Sequence, residues 1–168
     1  MSKAVLHLIP NFISETQTVD SLPKEVIDVV HKLDYYIAEK AKSTRTFLKK
    51  VNHPKALHDI VVEEYNHKSP PEDFLYAIEG LKAGKEVGLM SEAGIPCVAD
   101  PGFAIVSYAY KNNIKVVPYI GPNSIIMAMM ASGFSGQQFT FHGYLAHDQN
   151  VQKSQLKNMA NGLKYAYA

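Results

Sequence analysis

Hydrophobic positions along this chain switch between short continuous runs and helical spacing, again and again. Residues 4–10, "AVLHLIP", form an apolar run ended by proline, which predicts a buried strand and then a loop. In "SLPKEVIDVVHKL" (21–33), Val26, Val29, Val30 and Leu33 recur at helical spacing behind Pro23, a residue favoured at a helix start. "DYYIAE" (34–39) is strand-like, "STRTFLKKV" (43–51) reads as a short basic helix, and "DIVVEEY" (59–65) as another strand.

The next helix carries the strongest start signal. Ser69 to Glu72 reads S-P-P-E, a capping-box spacing with prolines in the first turn; Leu75, Ile78 and Leu81 supply the stripe, and Gly84 the stop. Strand "EVGLM" (86–90) leads into "SEAGIPCVADPG" (91–102), which packs two glycines, two prolines and two carboxylates into one loop. Asp100-Pro101 then reads as the start of a helix to about Asn112, and "IKVVPYI" (114–120) as a further strand. "GPNSIIMAMMASG" (121–133) reads as a loop and an apolar helix closed by Gly133, and "FTFHGYL" (139–145) as a strand. A polar stretch follows Leu145, with Val151, Leu156, Met159 and Leu163 as a thin helical stripe, and "YAYA" looks like the opening of one more strand. Alternating strands and helices predict an α/β fold with a mostly parallel sheet flanked by helices. The expected division is an N-terminal α/β domain over residues 1–120 and the beginning of a second, truncated one over 121–168.

Composition changes this picture little. Hydrophobic residues make up 46% of 168, enough for a core, and the net charge of +1 selects no partner. One cysteine excludes an internal disulfide, and the apolar run before Pro10 is too short for a signal peptide or a membrane span, so a cytoplasmic protein is expected. Six basic residues (Lys40, Lys42, Arg45, Lys49, Lys50, Lys55) and no acidic one lie between Lys40 and His58. Lys42, Arg45 and Lys49 share a helical face, which is either a solvated surface or a phosphate-contacting patch.

In open α/β sheets ligands sit beyond the carboxyl ends of strands. Three loops have that position: "PNFISE", "SEAGIP" and "GPNS". Glycines in the last two allow close backbone approach, and the helix opening at Ser124 offers free N–H groups to a carboxylate or phosphate. Turning the chain is the plainer role for Gly94, Pro96, Gly121 and Pro122 taken singly. There is no G-x-G-x-x-G after the first strand, no Walker-type phosphate loop, no H-E-x-x-H and no C-x-x-C; seven scattered histidines have no metal-site spacing, so no metal is expected. Cys97 reads as a small buried hydrophobe, and the Met127, Met129, Met130 group as core.

"EVGLMSEAGIPCVADPG", then "IKVVPYIGPNSIIMAMMASGF" and "FTFHGYLA", resemble the tetrapyrrole methylase superfamily, nearest its ribosomal RNA small-subunit methyltransferase I branch, over roughly residues 4–146. Ser91, Ala93, Gly94, Pro96, Asp100, Pro101 and Gly102 match one family motif, and Gly121, Pro122, Ser132 and Gly133 another. The chain departs from the branch at "IPNFI", at "EKAK" (39–42) and at "YNHKS" (65–69), positions on the substrate side. The resemblance implies a two-domain α/β methyltransferase holding S-adenosylmethionine between its domains, usually as a homodimer. It assigns the cofactor to Pro10, Ser91, Glu92, Ala93, Gly94, Ile95, Pro96, Gly121, Pro122, Asn123 and Ser124. Glu39, Lys42 and Arg45 are the candidate catalytic or substrate-positioning residues. The expected substrate is a ribose 2′-hydroxyl of ribosomal RNA. A tetrapyrrole precursor methylated at carbon, and a non-catalytic cofactor-binding or dimerisation module, remain alternatives.

Overall fold

In a computed structural model, which describes residues 4–100 and 102–162, β1 (Val5–Leu8), β2 (Tyr35–Ala38), β3 (Val61–Glu64), β4 (Glu86–Met90) and β5 (Lys115–Pro118) form a parallel sheet. Its order is β3-β2-β4-β1-β5. Parallel sheets are covered on both faces, which is why their strands read as continuous apolar runs. All four residues of β2 and the last four of β4 are buried. Alternation sends Leu6, Tyr35, Ile37, Val87 and Leu89 to one face, and Ile9, Tyr36 and Met90 to the other.

α1 (Lys24–Val30) and α2 (Ala41–Lys50) cover the Tyr36 face with Val26, Val30, Phe47 and Leu48. α3 (Asp73–Ala77), α4 (Glu79–Lys82) and α5 (Phe103–Lys111) cover the other with Ala77, Ile78, Leu81, Ile105 and Ala109. The chain therefore leaves β1 toward one face and the adjacent β4 toward the opposite face. The crevice beyond their carboxyl ends is the topological switch point of the sheet.

The α/β class and the five strands agree with the sequence pattern; several local expectations do not. α2 starts at Ala41, ahead of the predicted Ser43, because the Glu64 carboxylate on β3 accepts the Ala41 amide at 2.9 Å. Ser69 makes no capping box: its hydroxyl accepts the Asn66 amide and closes a turn, and the helix begins only at Asp73. That helix divides at Ile78, whose ψ of 1° leaves the helical range, so Leu75 is exposed while Ala77, Ile78 and Leu81 are buried. Residues 139–145 are not a strand. β5 is the sheet's edge, and with no apolar layer to receive them Phe139, Phe141 and Tyr144 remain exposed.

After β5 come α6 (Ser124–Ala131) and α7 (Gln149–Gly162), and no residue from 121 to 160 is buried. Of the methionines expected in the core, Met127 and Met130 are exposed, Met130 at 79%, and Met129 is half-buried. Pro101, Leu163 and the "YAYA" segment lie outside the described residues. No helix among the described residues is long and apolar enough to cross a membrane.

Candidate functional site

The three loops meet at the switch point. Asn11, only 5% exposed, pairs with Gly94 across an isolated antiparallel bridge, its amide donating to the Gly94 carbonyl at 2.8 Å. Its side-chain amide donates to the carbonyls of Ser91 (3.2 Å) and Glu92 (2.8 Å), and its Oδ1 accepts the Phe12 amide. The Ser91 hydroxyl donates to the Ala93 carbonyl at 3.0 Å, tightening the same turn. Just beyond β2, the Glu39 carboxylate accepts the Glu92 amide at 3.0 Å, and Lys40 pairs with the Glu92 carboxylate at 3.0 Å.

Gly94 sits at φ +70°, and a Cβ there would lie 3.1 Å from the Pro122 carbonyl oxygen and 3.3 Å from Ile13. Only a glycine takes that backbone conformation and that closeness without strain. A Cβ on Gly121 would run into the Pro10 ring. Pro10 and Pro96 are buried beneath the loops and line none of the cavities described next, so both shape the turns. The need for glycine in "SEAGIP" thus comes first from the contact of loop with loop.

Around this seam lie three cavities that share Ala93. One, of about 240 Å³, joins Ala93, Gly94 and Ile95 to Asn123, Ser124 and Ile125, with Phe141 and Tyr144 at its rim. A second, of about 760 Å³, brings Glu39, Ser91, Glu92 and Asp100 together with the aromatic rings of Tyr65, Phe103 and Tyr144. The third, of about 390 Å³, lies between the β1 loop and α2 and includes Lys40, Lys42 and Lys50. Of the predicted catalytic group, Glu39 and Lys42 fall in different cavities, and Arg45 is exposed on α2 and lines none of them.

Asn123 caps α6 with its own side chain, its Oδ1 accepting the amides of Ile125 and Ile126. Those two donors, expected to receive a carboxylate or phosphate, are already occupied. Asp100 likewise ties the second loop, accepting from the amides of Cys97 and Gly102 at 2.7 Å each, while burial raises its pKa. Burial first, and Asp100 second, push the Cys97 thiol up to about 12, which makes it a poor nucleophile. Among the described residues no three His, Cys, Asp or Glu side chains are grouped to hold a metal.

The chemistry of two of the three cavities is compatible with a cationic ligand. No lysine or arginine lines either one, carboxylates face the larger, and Ile13, Ile95, Val98 and Phe141 give the smaller an apolar wall. Sequence reasoning missed Asn11 and the aromatic trio. The only signal for Asn11 was a short amide placed immediately after a strand and a proline.

No protein-family model matches the chain. It aligns with the ribosomal RNA small subunit methyltransferase I of Bacillus subtilis, 31% identical over 153 residues, covering 91% of this chain and 50% of that protein. The Buchnera aphidicola protein of the same name is 28% identical over 160 residues, covering 95% of this chain and 53% of the relative. That of Thermotoga maritima is 30% identical over 135 residues, covering 80% and 59%. Over most of its length the chain is similar to proteins named ribosomal RNA small subunit methyltransferase I. It spans about half the length of the curated relatives it matches. The resemblance carried by residues 91–102 and 121–133 leads to the same proteins.

Proposed function

We propose that this chain is the cofactor-binding part of an S-adenosylmethionine-dependent methyltransferase that modifies a ribose 2′-hydroxyl of small-subunit ribosomal RNA. The observation that carries the reading is the seam of loops 10–13, 91–95 and 121–125 at the switch point, in a chain related to enzymes of that name. S-adenosylmethionine, when bound, supplies a methyl group activated on a sulfonium. Ala93, Gly94, Ile95, Asn123 and Ser124 are the residues that would hold it, with Ser91 and Asn11 fixing their backbone.

A ribose hydroxyl loses its proton as it is methylated, so an acceptor is needed nearby. Of Glu39, Lys42 and Arg45, only Glu39 has the chemistry: one carboxylate oxygen accepts the Glu92 amide and the other has no partner among the described residues. Lysine and arginine side chains offer donors rather than an acceptor, and Arg45 lines none of the three cavities. The fall in burial after residue 120 supports a boundary between two domains there. The exposed apolar face of α6 supports association as a homodimer. A cytoplasmic location belongs to the same reading.

The test is incubation with radiolabelled methyl donor, using ribosomal RNA in one tube and uroporphyrinogen in another. Label in RNA, reduced about 100-fold by Glu39→Gln, supports the proposal. Glutamine retains an oxygen for the Glu92 amide but cannot take the proton. Label in the tetrapyrrole, or in neither, overturns it.

A further inference from the structure

Among the three cavities, the one between the β1 loop and α2 is the basic one. We propose that it is a phosphodiester-binding subsite for the RNA strand, formed by Lys40, Lys42 and Lys50; this rests on the reading of the chain as an RNA methyltransferase. The sequence grouped Lys42 with Arg45 and Lys49 by helical spacing. The fold selects differently: Lys42 and Lys50 face the cavity from α2, Lys40 joins them from its start, and Arg45 and Lys49 do not line it.

Each of the three ammonium groups retains donors. Lys42 Nζ has no partner among the described residues. Lys40 Nζ has one, the Glu92 carboxylate, and Lys50 Nζ donates to the Glu15 backbone carbonyl at 3.0 Å while lying 4.4 Å from the Phe12 ring centroid. Glu15 and Glu92 also line the cavity, so three cations meet at most two carboxylates, one of them already paired. The start of α2 adds no free anion site, because the Glu64 carboxylate already accepts the Ala41 amide at 2.9 Å, so the cationic character rests on the lysines. An anion entering this cavity meets more donors than acceptors.

A strand rather than a small free anion is favoured by continuity. Glu92 and Ala93 line both this cavity and the larger, aromatic one that contains Glu39. A phosphate held by the lysines therefore puts the next nucleoside of its strand against the 91–95 loop, where the proposed methyl transfer takes place. Base rings have aromatic partners there, and single-strand binding combines such cationic tracks with aromatic platforms.

The test is binding of a fluorescent single-stranded RNA oligomer to the full chain, followed by anisotropy between about 50 and 200 mM salt. The double variant Lys42→Gln/Lys50→Gln is expected to bind about tenfold more weakly, with a salt slope shallower by about 0.7 for each phosphate released. Arg45→Gln/Lys49→Gln, an equal change of charge on the same helix, is expected to stay within about twofold to threefold of wild type. Equal losses in the two doubles would mean a diffuse basic face and overturn the subsite. Lysine-dependent binding of inorganic pyrophosphate with no affinity for RNA would also overturn it, leaving a small-anion site. Calorimetry with S-adenosylmethionine separates the two readings. Lysine-dependent RNA binding by a chain that takes no cofactor supports the subsite and removes the methyltransferase.

Discussion

Residues 4–119 and residues 121–162 contain comparable shares of apolar side chains and use them in opposite ways. In the first region Leu6, Val26, Tyr36, Ile37 and Ile105 are completely buried between a sheet and its covering helices. In the second, α6 reads as apolar as any strand, yet Met130 and Phe134 remain about four-fifths exposed. The difference is one of partners rather than composition. Burial stabilises only where a second layer exists to receive the face, at roughly 25 cal/mol for each Å² removed from water. The sheet supplies that layer to α1–α5, and nothing among the described residues supplies it to α6.

The sharpest way to press this contrast is Gly88→Val in the middle of β4. A Cβ there would come within 2.6 Å of the Tyr36 ring, which is fully buried and pinned by its hydroxyl to the Val30 carbonyl at 3.0 Å. A loss of about 3 kcal/mol is expected in urea denaturation. A loss below about 1 kcal/mol would mean that the sheet face is far looser than this packing implies.

Gly94→Val tests the seam joining the two regions. The positive φ and the contacts with Pro122 and Ile13 predict a stability loss of about 1–3 kcal/mol together with loss of S-adenosylmethionine binding. Calorimetry beside a thermal melt separates these effects, and unchanged affinity in the folded variant would remove the loop from the cofactor site. Asn11→Ala comes next. It leaves the Ser91 and Glu92 carbonyls without their donor at a buried position, for about 1–2 kcal/mol. A melting temperature equal to wild type would show that the bridge at Gly94 suffices alone.

A smaller effect concerns pH. His7 lies inside the first region, with Nδ1 2.9 Å from the Tyr119 hydroxyl and Nε2 3.4 Å from the Glu86 carboxylate. Burial holds its pKa below 6.5 in spite of Glu86. The unfolded chain then takes up a proton near pH 6.5 where the folded chain does not, so stability is lost as pH falls below that value. His7→Gln should remove this slope from melts between about pH 7.5 and 5.5; an identical slope in the variant would assign it to other groups. The smallest expected change is Met130→Ser, within about 0.5 kcal/mol. A loss above about 1 kcal/mol would break the comparison itself, because α6 would then be packed in solution.

Legibility followed the same division. Local signals sufficed wherever the element and its burial had one cause, as in β4, β2 and α5, whose apolar runs and turn residues coincide. They failed where a distant residue intervened. Glu64 starts α2 early, Ser69 closes a turn instead of opening a helix, and residues 139–145 alternate like a strand but find no sheet to join. The candidate site was half legible: the glycine loops announced themselves, whereas the clamp at Asn11 and the partition of Glu39 from Lys42 depend on which strands are neighbours.

By itself the sequence determined the parallel α/β class, the order of the five strands along the chain and the two glycine loops that border the cavities, because hydrophobic period and glycine-proline punctuation act over a few residues. Only the tertiary structure decided that β1 lies beside β4, and with it the switch point, the Asn11 clamp and the choice of Lys40 and Lys50 over Arg45 and Lys49 as cavity lysines. The physical reason is range. Backbone propensity and amphipathic spacing are written within one turn or strand, whereas a cavity is a difference between elements whose adjacency no local pattern encodes.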